Sequence, residues 1–342
     1  MCVEELCDRV MAKNKKRYFQ TIRRWTGFDH YLTKIKRWLR EDVKVKIRKA
    51  LGIEDVNLIA YNLLYEMTDV IENRRQLLVP KVASVEETLN ELLTTEKSIA
   101  RFGDAEFWMM FFNKPVGYQI YDPLLVERLK EVLVSEEPHL MIGLLDMFGF
   151  QGPHGSRREF AGKLRDHINP LLDAKRQYYD ANVTRQSSLE YFLKMKKIWA
   201  GRKVVTIEGN MCRLGVGNDL FDNVASLRRI LAPAEGAFSA YDPILAEALK
   251  IEKDALFLIA LGPTATVLAY DLCKAGYRAL DIGHLDICYE LFLRNEPHMV
   301  AIEGKYVNEA SYRTPAPCKD EKYLQQIICT IDNSGTVTPG KS

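Results

Sequence analysis

The sequence has no Cys-x-x-Cys pair, no apolar run of membrane length and no nucleotide-loop signature, and each absence removes a class of protein. Its seven cysteines, at positions 2, 7, 212, 273, 288, 318 and 329, are odd in number and scattered. That excludes a disulfide framework and a zinc ribbon as the organising device and points to a reducing compartment. The most apolar stretch, residues 255–261, is far shorter than the roughly 20 residues needed to span a bilayer. Residues 1–16 are polar and lack an apolar signal core, so a cytoplasmic protein is expected. No Gly-x-Gly-x-x-Gly opens a helix, no Walker-type lysine motif occurs and no His-rich two-metal cluster is visible. A methyltransferase or phosphohydrolase on a nucleotide-binding sheet therefore lacks its usual marks.

What is present is a globular composition. Over 342 residues the chain is 47% hydrophobic and 27% charged, enough for one large domain and an appendage. The net charge of +2 hides an asymmetry. Residues 1–50 hold fifteen Lys/Arg against six Asp/Glu, a net +9, which leaves −7 on the remainder. A basic arm thus sits on a mildly acidic body. Within the arm Ile35, Leu39, Val43, Ile47 and Leu51 recur every four residues among lysines and arginines, the pattern of an amphipathic basic helix. Two readings stay open for it: docking on an anionic membrane surface at the inner face of the membrane, or packing on its own domain or a twin subunit. Nucleic acid is not expected, because the acidic body offers no second basic surface.

A second helical stretch, 57–78, stops at Val79-Pro80, since proline disfavours helix in the residue before it. The boundaries that follow are a helical extension over 1–80, a catalytic domain over 81–331 and a loose polar tail over 332–342. Inside the domain the patterns predict helices at 84–93, opened by a Ser84/Glu87 capping box, and at 123–134, 157–179, 187–199 and 242–250. Strands are predicted at 98–100, 140–145, 203–208, 227–231 and 256–261, with an edge strand over 323–331. Residues 255–283 form the clearest unit, a strand–helix–strand that implies a parallel sheet with a right-handed crossover.

Four places carry chemistry. Arg101-Phe-Gly-Asp-Ala-Glu-Phe107 is a strand-to-helix junction. In an extended segment residues two apart face the same side, so Asp104 and Glu106 would aim two carboxylates at one point. Oxygen ligands of that kind suit Mg²⁺ or Mn²⁺ on a phosphate substrate. Residues 209–219 form a loop with three glycines, Arg213 and a closing Asn218-Asp219, which suits a backbone cradle for phosphate or ribose. Gly262-Pro263-Thr264 opens a helix whose amides at Thr264 and Ala265 would seat a phosphate. Asp281, His284 and Asp286 follow at the end of a parallel strand, where open α/β sheets bind ligands. His284 is read there as a metal ligand, a base or a structural residue.

In this order the blocks 101–107, 213–223, and 260–271 leading into 281–287 resemble the GT-D fold glycosyltransferases, a bacterial family that uses nucleotide sugars. The resemblance runs from about residue 84 to residue 303. It implies a Rossmann-like α/β domain, mostly parallel sheet flanked by helices, with Asp104 and Glu106 as its D-x-E metal motif. It implies a UDP-sugar donor, a divalent cation (Mn²⁺ or Mg²⁺) and transfer of a hexose to a glycan acceptor on a surface glycoprotein or polysaccharide. Arg101, Gly103, Arg213, Gly215, Gly217, Asn218, Asp219, Gly262, Pro263, Thr264 and Asp281 are the expected donor contacts. His284 and Asp286 are the expected catalytic groups, with His284 also a third metal ligand. The chain departs from the pattern at Ala105, Cys212, Cys288 and Leu291, the last two beside His284 where they bear on acceptor or sugar. The competing reading is a non-catalytic scaffold that acts through its basic arm.

Overall fold

The computed structural model describes residues 81–145, 164, 167–173 and 175–340. The basic arm, the helix stretch 57–78 and the glycine-rich loop 148–156 lie outside these residues. The chain divides into two compact units, one of Met1–Leu77 with Met147–Asn169 and the other of Leu78–Asp146 with Pro170–Ser342. The second unit contains every candidate site residue.

That unit opens with β1 (Lys81–Val82), α1 (Val85–Thr94), β2 (Ser98–Phe102), α2 (Asp104–Phe112), α3 (Pro123–Val134) and β3 (Leu140–Leu144). Next come β4 (Gln177–Asp180), α4 (Leu189–Lys197), β5 (Lys203–Gly209), β6 (Ser226–Ala232), α5 (Tyr241–Ala248), β7 (Leu256–Ala260) and α6 (Pro263–Lys274). The unit closes with β8 (Arg278–Asp281), α7 (Leu285–Leu293), α8 (Glu321–Gln325), β9 (Ile327–Ile331) and β10 (Val337–Pro339). The strands form one sheet in the order β1-β4-β3-β2-β8-β7-β5-β6-β9-β10. Every pairing is parallel except that of β9 with β10. This is the mostly parallel, helix-flanked sheet the sequence predicts.

Burial on both faces explains the apolar strands. All five residues of β3 are buried, and β7 is buried over Leu256–Ile259. On one face α1, α4 and α7 contribute Leu89, Leu92, Phe192, Met195, Leu285 and Tyr289 to a core that includes Trp199. On the other α6 packs on β2 and β8, with α3 against it. Local signals set the helix starts. Ser84 and Glu87 make the predicted capping box, and the Asp122 side chain accepts from the amides of Leu124 and Leu125 ahead of Pro123.

Three expectations fail. The helix predicted to run to 179 gives way to β4, where Gln177-Tyr-Tyr-Asp180 pairs with β3. Aromatic residues fit a pleated surface, and the open side of β3 supplies a partner for them. The strand predicted from 323 begins only at Ile327, because the Asp320 side chain caps α8 by accepting from the Tyr323 amide. The tail is not loose through 340. The Asp332 carboxylate accepts from the amides of Ser334 and Thr336, closing a turn that returns Val337–Pro339 onto β9. The edge strand is therefore β10, short and ending in proline, which suits an edge.

Candidate functional site

Parallel strands deliver their loops to one rim, and β2, β3, β4, β7 and β8 all end there. Arg101 ties three of them together. Its Nε donates to the Asp281 carbonyl at 2.7 Å, its Nη2 to Asp281 Oδ1 at 2.8 Å, and its Nη1 to the Ala181 carbonyl at 2.9 Å. Gly283 makes this approach possible. Its φ is +46°, and a Cβ there would lie 2.1 Å from Arg101 Nη2. Arg101 and Asp281, both expected as donor contacts, thus spend their polar groups on each other and on backbone.

Asp104 and Glu106 do not sit on an extended segment. Gly103 is the N-cap of α2, and the two acids occupy its first turn. Residues two apart on a helix diverge by about 200°. Asp104 points outward and is exposed, and among the described residues it accepts no hydrogen bond. Glu106 is 7% exposed and folds back so that Oε2 accepts from the Gly103 amide at 2.7 Å. Burial pushes its carboxyl up to about 7, and the charge of Asp281 adds to that against the hydrogen bonds and Arg101.

His284 caps the rim at the start of α7, between two partners. Its Nε2 lies 2.8 Å from Glu309 Oε2, and its Nδ1 lies 3.1 Å from Arg185 Nη2. The same Nη2 donates to Glu309 Oε1 at 3.2 Å. A guanidinium can only donate, so Nδ1 is the acceptor and the Nε2–H points at Glu309. Both ring nitrogens are engaged. Glu309 and Arg185 occupy them in this arrangement. Burial raises Glu309, but the His284 hydrogen bond and the nearby charges outweigh it and hold the carboxyl at about 2. Tyr118 closes the group, within electrostatic reach of Glu106, Glu309, Asp104 and Arg185.

The Gly262 turn is covered. A Cβ on Gly262 would meet the Tyr118 ring at 2.3 Å, and Gln119 accepts from the Thr264 hydroxyl at 3.3 Å. Thr264 and Pro263 are buried, and the Ala265 amide bonds to the Gly262 carbonyl at 2.9 Å. The open phosphate seat predicted here is therefore not formed.

The glycine loop is anchored rather than open. Asp286, 1% exposed, accepts from the Gly215 amide and Asn218 Nδ2 at 2.9 Å each, and from Lys305 Nζ at 2.7 Å. Glu290 shares Asn218 and Lys305 at 2.8 and 2.9 Å. With its acceptors filled, Asp286 holds the loop and is not placed as a base. Asp219 is bound by Lys196 and Tyr289, and Arg213 by the Gly304 carbonyl. Gly217 alone of the loop's predicted contacts has open space where a Cβ would stand. A cleft of about 500 Å³ runs from Gly215–Asn218 past Ser226 and Leu227, which open β6, to Arg229 and Tyr323. It does not include the rim acids.

Sequence reading did not single out Arg185, Tyr118, Glu309, Glu208, Arg229 or Lys305. A signal existed for Glu208, a carboxylate inside the apolar strand β5, where it pairs with the buried Arg229. None existed for Glu309, which lies 124 residues from Arg185 in a loop.

The profile of the glycosyltransferase GT-D fold family matches residues 99–310. The chain is similar to a protein described as a probable glycosyl transferase Gly from Streptococcus gordonii, 34% identical over 265 residues. That match covers 73% of this chain and 39% of the relative, so the chain spans about two fifths of its length. A solved structure described as a new glycosyltransferase (DUF1792) from Streptococcus sanguinis superposes with a TM-score of 0.66 at 32% identity, over 73% of this chain and 98% of that one. Another, described as the domain of unknown function 1792 with a distinct glycosyltransferase fold, gives 0.69 at 31% identity, over 75% and 97%.

Proposed function

Because the chain belongs to the GT-D fold glycosyltransferase family, we propose that it moves a hexose from a UDP-sugar to a glycan acceptor, in the synthesis of a surface glycoprotein or polysaccharide, with a divalent cation at Asp104 and Glu106. The observation that carries the metal reading is a charge imbalance at the rim. Asp104, Glu106, Asp281 and Glu309 lie with Arg101 and Arg185 as their permanent cations. With Glu106 ionised, four carboxylates face two guanidinium groups, a surplus of negative charge of the kind a divalent cation such as Mn²⁺ or Mg²⁺ neutralises. The donor atoms are carboxylate oxygens, the type such ions take. No group of three His, Cys, Asp or Glu side chains among the described residues is arranged to hold a metal. Two carboxylates with substrate oxygens completing the shell is a usual magnesium arrangement. When bound, the cation supplies charge neutralisation to the departing diphosphate.

The protein's own groups have separate tasks. The outward Asp104 carboxylate needs no rearrangement to reach a ligand. Glu106 is held in place by the Gly103 amide, so its second oxygen keeps a fixed direction. Arg101 and Asp281 fix the spacing of β2 and β8 beneath it. The Tyr118 ring lies over Gly262 and walls the side of the rim, excluding water from part of the space. No helix among the described residues is long and apolar enough to cross a membrane.

A melting-temperature screen of UDP, GDP and CMP sugars with Mn²⁺ tests this reading. UDP with Mn²⁺ should raise the melting temperature, and chelator should abolish the shift. S-adenosylmethionine should have no effect. Equal shifts with and without metal would remove Asp104 and Glu106 from donor binding.

A further inference from the structure

Glu309 grips Arg185 and His284 as a two-oxygen anion would. One carboxylate oxygen meets the guanidinium, the other the imidazole Nε2–H. We propose that Arg185 and His284 are the protein's seat for a diphosphate, and that Glu309 is a stand-in the diphosphate displaces. This deepens the reading of the rim as a nucleotide-sugar site and rests on it.

Three features support the seat. Among the described residues Arg185 uses only Nη2, leaving Nη1 and Nε as free donors. By contrast Arg101 spends three nitrogens on Asp281 and Ala181, and Arg213 is buried. Arg185 also lies within electrostatic reach of Asp104, so a diphosphate here would share the charge environment of the proposed metal site. A guanidinium matches phosphate geometry with paired donors, and the imidazole adds the Nε2–H. His284 orients through its Nδ1, which Arg185 fixes as the acceptor, so the N–H faces the anion.

The stand-in sits where it can leave. Val307 and Tyr312 bond to each other through both amides, and Val307 is fully buried, so the base of this small hairpin is anchored. Glu309 rides on its tip, the single turn Asn308–Ala310. One polar atom of the tip and one just past the hairpin base are unsatisfied as they stand. Asn308 Oδ1 and Arg313 Nε are buried without hydrogen-bond partners, and both side chains crowd Gly117 beside Tyr118. Glu309 can therefore swing away by its side-chain torsions, or with the tip, while the hairpin base stays in place.

The test is calorimetric titration of the full chain with inorganic pyrophosphate, UDP and uridine in Mg²⁺ buffer. Glu309→Gln should bind pyrophosphate and UDP about tenfold more tightly than wild type, because a charged competitor is gone while a neutral side chain of the same shape remains. Glu309→Ala should show the same direction. Arg185→Gln should bind both about 10- to 100-fold more weakly, the range for losing charge-assisted hydrogen bonds. Uridine affinity should not move in any variant. If Glu309→Gln and Glu309→Ala bind pyrophosphate no better than wild type, the proposal falls, even if UDP-sugar transfer is observed. If pyrophosphate binding tightens but no UDP-sugar is turned over, the seat stands and the transferase reading falls. Unchanged pyrophosphate affinity in Arg185→Gln also overturns it.

Discussion

Two ionic clusters meet at the first turn of α7, and they are built on opposite rules. Beneath the glycine loop, Asp286 and Glu290 face Lys305 and Asn218, with Arg294 on Glu290. Two acids meet two cations, and Asp286, Glu290 and Lys305 are all 5% exposed or less. Two residues earlier in the chain, His284 belongs to the rim, where acids outnumber cations and Asp104 accepts no hydrogen bond among the described residues. The balanced cluster is the kind that holds a loop in place. The unbalanced one is the kind that binds something, since its surplus charge is neutralised only by a ligand or a proton.

The largest effect should come from unbalancing the first cluster. Lys305→Ala leaves two buried carboxylates facing each other, and breaking a buried pair in this way costs about 3–5 kcal/mol. Denaturant unfolding of the variant should show that loss. A change below about 1 kcal/mol would mean that Lys305 is not structural and the contrast between the clusters is false. Asp104→Asn should instead leave stability near wild type and lower transfer by about 100- to 1000-fold, the range for removing one preorganised electrostatic group. Turnover measured under buffered Mn²⁺ decides this, and retained activity would place Asp104 among ordinary surface acids.

Glu106 gives a pH-dependent test of the rim. Its folded value of about 7 lies above the ordinary carboxylate range. Such a group contributes full stability below its unfolded value and loses it as pH rises through the folded one. In chelator the wild-type protein should therefore lose on the order of 3 kcal/mol between pH 4.5 and pH 8 from this residue alone. Glu106→Gln removes the dependence, so its melting temperature should gain on wild type as pH rises. Parallel curves would mean that Glu106 carries no stored cost. The smallest effect lies outside both clusters. Ser84→Ala removes the α1 cap and should cost about 1 kcal/mol with no change in donor affinity, a control that separates fold stability from site function.

The sequence by itself determined the local elements and the family of the chain. The Ser84 capping box, the apolar strands β3, β5 and β7, and the turn into α6 all follow from short-range pattern. The parallel sheet follows from the strand–helix–strand unit, because that connection admits few alternatives. Only the tertiary structure decided which polar residues are spent and which are free. Asp286 reads as a catalytic group in sequence because it follows a parallel strand, and Arg213 as a donor contact because it stands in a glycine-rich loop, yet the fold pairs them with Lys305 and with the Gly304 carbonyl. Arg185 and Glu309 carry no motif, and strand order brings them together across 124 residues. The D-x-E spacing suggested an extended segment for Asp104 and Glu106, but Gly103 starts the helix one residue before Asp104. The physical reason is common to all of these. Periodicity records which face of an element is buried, whereas the fate of a charged group depends on its desolvation and on partners distant in the chain, and neither is local.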